Sequence, residues 1–439
     1  EERRALGRLP ERRKTVEAPA AVMDPMYYPQ GWNTYTADEV KKRVSIPVIT
    51  SHTLRDPAYC EKILAAGKTD LVGLSRQMIA DPDWANKAYA RQPDEIRKCI
   101  SCLVGCWQES LMVRRHMRCA INPAVGDERF IHIGLAARKL NVAVVGGGPG
   151  GMEAARIASL RGHTVTLFEK SGELGGALLY CCMLPGKSKM RWYADWLRRQ
   201  VAKLKVDVQY HARPGIEELE KFDAVILATG GRIARPAIPG IDADLVSTFT
   251  DVLRCTATSC EYYPEDREPP LDYGETVLIW GDHFGAADAA EKLAAQGRKV
   301  YVVTENREFA QWMEPCHRDV LVKRFAGSNG EGLTGKTFAK PVTVIPATTV
   351  VEIKDSGEVM LMDNAFRKST LQVDNIVLAS VEPEESLYGQ LIDAGVVAIR
   401  IGDLKQVRNV LSAVKEGANA ALTLDEGVTL NANRALTSG

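Results

Sequence analysis

Four cysteines stand within 21 positions of this chain, as Cys99-x2-Cys102-x3-Cys106-x12-Cys119. Thiolates are soft donors, so four of them in one short stretch suit a tetrahedral zinc or an iron–sulfur cluster, with plain packing as the alternative without a ligand. Structural zinc usually pairs two CxxC knuckles. Here a single CxxC is followed by Cys106, which sets three ligands along one face and brings the fourth from a later turn, as a [4Fe–4S] cubane requires. The other six cysteines, Cys60, Cys181, Cys182, Cys255, Cys260 and Cys316, are scattered and are expected to be buried apolar residues. No apolar signal segment opens the chain, so clustered thiols point to a reducing, cytoplasmic setting.

A second chemistry is written in glycine. Gly146-x-Gly148-x-x-Gly151 follows the apolar run Val142–Val145, and Glu169 lies 18 positions beyond Gly151, at the end of the next apolar run. In a strand–loop–helix context this is a dinucleotide fingerprint. Gly146 makes the tight turn, Gly148 lets the backbone approach a pyrophosphate, Gly151 lets helix and strand pack, and Glu169 can accept from a ribose. The loop alone does not separate FAD, NAD and ADP. A second loop, Gly281-Asp-His283-Phe-Gly285-Ala286, follows Thr276–Trp280. His283 occupies the middle glycine position, where a side chain should obstruct a pyrophosphate, so this site is expected to bind nucleotide weakly or not at all. Glu305 stands at its ribose-reading position, which favours NADH over NADPH.

The elements that must carry these motifs follow from hydrophobic period and punctuation. Strands are expected at 46–50, 71–74, 142–145, 164–168, 222–228, 276–280, 299–303, 375–379 and 396–401. Helices are expected at 37–44, 56–66, 81–89, 152–161 and 407–422, the second opened by Asp56-Pro57 as cap and first-turn proline. Alternation of strand and helix means parallel α/β sheets, with a βαβ pattern at 141–170 repeated at 276–305. With 439 residues the chain has room for two to four domains. Lys+Arg and Asp+Glu both count 56, giving a net charge of zero, which argues against a nucleic-acid binder. No apolar run reaches the roughly 18 residues of a membrane span.

Taken together these motifs resemble the iron–sulfur flavoproteins of the old yellow enzyme superfamily, typified by trimethylamine and dimethylamine dehydrogenases and 2,4-dienoyl-CoA reductase. Pro47-Val-Ile-Thr50 with Asp56-Pro57, and Gly73-Leu-Ser-Arg76 with Ile79-Ala-Asp-Pro82, resemble the last two strands of their FMN-binding TIM barrel. The resemblance implies that Thr53, Gly73 and Arg76 hold the FMN phosphate, although the family usually has glycine where this chain has His52-Thr53. Arg97–Cys102 and Cys119–Pro123 are similar to the cluster segment. Gly175-Gly176, Ala228-Thr229-Gly230 and Gly402-Asp403 are similar to the adenine-dinucleotide domain, which makes Thr229, Gly230 and Asp403 further contacts to FAD or ADP. The implied organisation is a barrel tail at 1–92, a cluster segment and linker at 93–138, an FAD/ADP domain at 139–245 plus 380–439, and a degenerate NAD(P)-type Rossmann domain at 246–379.

A TIM barrel needs about 250 residues and eight strands, and only two are evident before Cys99. Together with a start at Glu1 rather than Met, this gives the expectation that the chain begins inside a domain and that a partner chain supplies strands one to six. An oligomer is therefore expected. The segments around Cys106-Trp107 and Met117–Pro123 look most like demethylases acting on dimethylglycine or proline betaine. The expected function is oxidative N-demethylation of a small methylated amine, with electrons passing from FMN through the cluster to an electron-transfer flavoprotein or another acceptor. An NAD(P)H-dependent enoate or enoyl-CoA reductase and a non-catalytic electron-relay subunit are the competing readings. No catalytic acid or base can be assigned from the sequence.

Overall fold

The β-branched runs Asn141–Val145 and Thr276–Trp280 are buried almost throughout, and each forms the middle strand of a five-stranded, all-parallel sheet. Strands covered on both faces read as continuous apolar runs, which is why these two were visible in the sequence. The computed structural model describes residues 23–184, 186–253, 272–327, 338 and 340–425. Cys255, Cys260 and the charged first 22 residues lie outside them.

Two compact units are present. One comprises Asn33–Leu179, Lys189–Arg232 and Glu382–Gly439. Its sheet runs in the order Ala398–Arg400, Ala224–Leu227, Asn141–Val145, Thr164–Glu169, Asp207–Tyr210. The helix Pro149–Leu160 follows the first glycine loop and is crossed by the late helix Val410–Leu422. The crossing is close because both helices are small there. A Cβ on Gly417 would lie 2.2 Å from the Gly150 carbonyl oxygen, and one on Gly150 would lie 2.9 Å from that of Ala413.

The same unit carries a short barrel-like piece. Ile49–Thr50 pairs in parallel with Leu71–Val72, joined by the helix Pro57–Ala65, whose Asp56 cap accepts from the Ala58 N–H at 2.9 Å. Ile46, Ile49 and Leu71 are 69%, 61% and 52% exposed, which leaves this two-stranded sheet with an apolar surface in water. A parallel sheet normally has both faces covered.

The second unit comprises Glu1–Trp32, Tyr180–Ser188 and Ile233–Val381. Its parallel sheet runs Thr343–Ile345, Lys299–Val303, Thr276–Trp280, Asn375–Leu378, Val246–Thr248. A three-stranded antiparallel meander, Thr348–Ile353, Glu358–Asp363 and Lys368–Gln372, follows the first of these strands. That meander was not expected. Its outer strand reads Lys-Ser-Thr-Leu-Gln and is mostly exposed, so it carries little apolar period. Residues 23–32 and 180–188 belong to this unit through buried polar contacts: Tyr27 donates to Glu291 at 3.4 Å, and Lys187 pairs with Asp288. Among the described residues no helix is long and apolar enough to cross a membrane.

Candidate functional site

The barrel-like strands end in a loop with an unusual backbone. His52 and Thr53 both lie in the left-handed region, at φ 76° and 48°, a conformation that favours glycine. The chain keeps a glycine-type turn while carrying side chains on it. Gly73 follows the neighbouring strand Leu71–Val72, and a Cβ there would touch Ile49 and the Thr50 carbonyl at 3.4 Å. Arg76 begins the short helix Arg76–Ala80.

The cysteine loop is bolted to this region. Arg55, 2% exposed, donates from Nε to the Cys99 carbonyl, from Nη1 to the Thr53 carbonyl and from Nη2 to the Ser101 hydroxyl. Gln77 accepts from the Cys99 N–H at 2.9 Å and donates to the Arg97 carbonyl at 3.1 Å. Neither Arg55 nor Gln77 could be found in the sequence, because each acts on a loop 20 or more positions away.

Ser101 and Leu103 take positive φ, and a π-helix, Val104–Met112, carries Cys106. Gly105 lets the returning strand of the loop close in, since a Cβ would stand 2.4 Å from the Arg118 carbonyl oxygen. Cys99 lies in one buried core with Ile100, Ala120 and Ile121, and the half-buried Cys102 and Cys119 pack against it; Cys106, also half-buried, follows on the π-helix. Burial pushes the Cys106 thiol up to about 12 and Cys119 to about 11, and neighbouring thiols push both in the same direction. Cys102 is raised by burial and by the other three cysteines. Burial opposes ionisation of Cys99 too, yet Arg55, Arg76 and the Ser101 N–H hold it below the usual thiol range. Among the described residues no three His, Cys, Asp or Glu side chains converge as ligands of a single ion do. A cubane binds its thiolates at separate iron corners. Four mutually repelling thiols with little water around them form a donor set that fits a cationic iron core, in which the metal offsets the cost of ionising them. Of the six scattered cysteines, Cys60 and Cys316 are buried, whereas Cys181 and Cys182 are only half-buried.

The first glycine loop has dinucleotide-binding form. Gly146 sits at φ 108°, and a Cβ on it would be 2.3 Å from the Ala228 carbonyl oxygen. A Cβ on Gly151 would be 1.9 Å from the Gly146 oxygen. Gly148, by contrast, begins the helix and faces open space, with nothing within 4 Å, as a position meant for a pyrophosphate should. Gly175 donates to the Gly147 carbonyl at 2.8 Å, and a Cβ on Gly176 would lie 2.9 Å from the Gly148 Cα. These two glycines therefore brace the loop. Glu169 ends its strand buried, accepting from the Gly147 N–H at 2.8 Å and from Ser171 N–H and hydroxyl at 2.8 Å each. Both Ser171 bonds fall on Oε1 and the Gly147 bond on Oε2, so the lone pair left over is on Oε2. Thr229 and Gly230 follow the strand Ala224–Leu227, and Gly230 also faces open space. Asp403 accepts from the Arg408 N–H at 3.0 Å in the turn that leads to the Val410–Leu422 helix.

The second loop is closed on itself. His283 caps the helix Phe284–Ala295, its Nδ1 accepting from the Gly285 N–H at 3.3 Å. Asp282 accepts from the Asn306 amide and the Ala310 N–H at 2.7 Å each. A cleft of about 170 Å³ remains beside it, lined by Trp280, Asp282, Glu305 and Asn306 among others. Glu305 accepts from Thr349 at 2.8 Å. Two carboxylates and no cation line this cleft.

Residues 13–95 match the NADH:flavin oxidoreductase / NADH oxidase family, and residues 140–328 match the pyridine nucleotide-disulphide oxidoreductase family. These matches give the chain an old yellow enzyme-type FMN oxidoreductase segment and a pyridine nucleotide-disulphide oxidoreductase domain. It is 34% identical to an NADH oxidase of Thermoanaerobacter brockii, over 92% of this chain and 59% of the relative. It is 29% identical to an N,N-dimethylglycine/sarcosine dehydrogenase of Chromohalobacter salexigens, over 90% and 60%. A 2-naphthoyl-CoA reductase structure superposes with a TM-score of 0.78 at 26% identity, over 92% of this chain and 57% of the other. The chain thus spans about three fifths of the length of the relatives it matches.

Proposed function

We propose that this chain is the cluster-bearing and dinucleotide-binding part of a flavin-dependent oxidoreductase that oxidises a small methylated amine. The observation that carries the reading is the joint between the two half-sites. Arg55 and Gln77 fix the Thr53 loop and the Arg76 helix to the cysteine loop, and the Arg76 charge helps to hold the Cys99 thiol down and partly offsets the rise at Cys106. A phosphate held by Thr53, Gly73 and Arg76 would place FMN next to a [4Fe–4S] cluster on Cys99, Cys102, Cys106 and Cys119. FMN and the cluster, when bound, supply hydride acceptance and single-electron transfer. The chain's own part is to neutralise phosphate charge at Arg76, to keep the four thiols dry and to hold the two half-sites rigidly together. Gly146, Gly148, Gly151, Gly175, Gly176, Glu169, Thr229, Gly230 and Asp403 form the cradle proposed for FAD or ADP.

The direction of electron flow rests on the second loop. Asp282 and His283 occupy the approach to the helix that a nicotinamide dinucleotide would need, so electrons leave to a protein acceptor of the electron-transfer flavoprotein kind. A partner chain carrying the remaining barrel strands would cover the apolar face of Ile46, Ile49 and Leu71. The likeness to NADH oxidase favours a second reading, NAD(P)H-dependent reduction of an enoate or enoyl-CoA, with nicotinamide bound in the Trp280–Glu305 cleft. Anaerobic mixing of the assembled enzyme separates the two. Bleaching of flavin by dimethylglycine or a related amine, and not by NADH or NADPH, is the expected outcome; prompt bleaching by NADH or NADPH overturns the amine reading.

A further inference from the structure

One buried polar group beside the cysteine loop has no role in the site as described. Tyr193 lies on the helix Lys189–Lys203 and is 1% exposed, yet its hydroxyl has no hydrogen-bond partner among the described residues. A buried donor is seldom left unsatisfied. Tyr193 shares a core with Cys99, and Cys102 and Cys119 pack against that core.

Its surroundings fix the ring. Trp196 stacks on it at 6.1 Å and 13° and is pinned by its own N–H to the Glu95 carbonyl at 3.1 Å. Arg97 and Arg156 cover the Trp196 ring at 4.9 and 5.4 Å. The charged groups that act on Tyr193 are Glu153, Arg97 and Arg156, and the Glu153 carboxylate oxygens already accept from Arg156 at 2.9 and 2.7 Å. Burial and then Glu153 act against a phenolate and outweigh Arg97 and Arg156, so the hydroxyl stays protonated and therefore a donor.

We infer that Tyr193 donates its hydroxyl to a sulfur of the iron–sulfur cluster, at the Cys119 side, and so sets the cluster's reduction potential. The inference rests on the cluster reading above. Reduction adds negative charge to the sulfurs, so a donor aimed at one of them stabilises the reduced form more than the oxidised form and raises the potential. Tyr193 is a positioning residue in this sense and takes no part in the reaction itself.

The test is a redox titration of the assembled enzyme followed by low-temperature EPR, with iron and acid-labile sulfide measured alongside. Tyr193→Phe is expected to keep its iron and sulfide while the cluster midpoint moves to a more negative potential. Site-specific replacement of Tyr193 by 3-fluorotyrosine, a stronger donor of the same shape, moves it the other way and serves where the phenylalanine variant folds poorly. Loaded variants with the wild-type midpoint overturn the inference and leave the cluster reading standing. Wild-type protein that holds no iron and shows no signal on reduction overturns both.

Discussion

At the scale of single residues, two glycines of one loop separate folding from binding. Gly146 is pressed against the Ala228 carbonyl at a positive φ, so Gly146→Ala should destabilise the fold by about 2 kcal/mol or more, through clash and backbone strain together. Gly148 faces open space. Gly148→Ala should leave the thermal midpoint nearly unchanged and lower the content of adenine dinucleotide, measured by extraction and chromatography. Equal loss of stability in both variants would count against the cradle. Arg55 is the other decisive residue. Removing it leaves three buried acceptors without their donor, so Arg55→Ala should cost about 3 kcal/mol in denaturant unfolding. It should also raise the Cys99 thiol, which Arg55 helps to hold down. The fourfold thiol motif and the glycine loop were legible in the sequence because both are local patterns. Arg55, Gln77 and Tyr193 were not, because nothing at positions 55, 77 or 193 marks a side chain that serves residues near 100 or 119.

At the scale of elements, helix ends carry much of the electrostatics. Glu314 caps the helix Pro315–Phe325, accepting from the N–H groups of Cys316 and His317 and pairing with the His317 ring at 2.8 Å. Burial works against its charge, but the His317 side chain and these N–H groups outweigh it and hold the carboxyl below its usual range. A carboxylate with a lower pKa folded than unfolded stabilises the fold above its unfolded value of about 4.3. It loses that contribution as pH falls through the folded value. Glu314→Gln is therefore expected to lower stability at pH 7 and to flatten the loss of stability on acidification, followed by unfolding midpoints between neutral and acidic pH. The helix crossing offers a steric counterpart. Gly417→Ala sets a methyl against the Gly150 oxygen and should cost about 1–3 kcal/mol, with the dinucleotide helix displaced. The βαβ repeat at both glycine loops was legible, since burial on two faces writes itself as apolar runs. The antiparallel meander and the Lys189–Lys203 helix were missed, because the exposed edge of the one and the mixed charged face of the other dilute the period.

At the scale of the whole molecule, the apolar face of the two short barrel-like strands sets an expectation for assembly. In isolation the chain should self-associate, and co-expression with a chain bearing the other barrel strands should suppress this, as seen by light scattering. Cluster loading should also depend on pH at this scale. On the proposed cluster reading, thiols raised to about 12 at Cys106 and about 11 at Cys119 would release protons on binding iron, so reconstitution with iron and sulfide should weaken sharply as pH falls, monitored by visible absorbance.

The close passage of Gly417 over Gly150 has a bearing on biosynthesis. The strand Ala398–Arg400 completes a sheet whose earliest strand is Asn141–Val145, the helix Val410–Leu422 packs on the helix that follows that strand, and the whole of 233–381 is translated between them. A ribosome-bound chain that has emerged only to residue 390 would hold a finished glycine loop without the helix that braces it. Adenine dinucleotide should therefore be captured late, after the Val410–Leu422 helix leaves the exit tunnel, and nascent chains arrested before residue 398 should retain none.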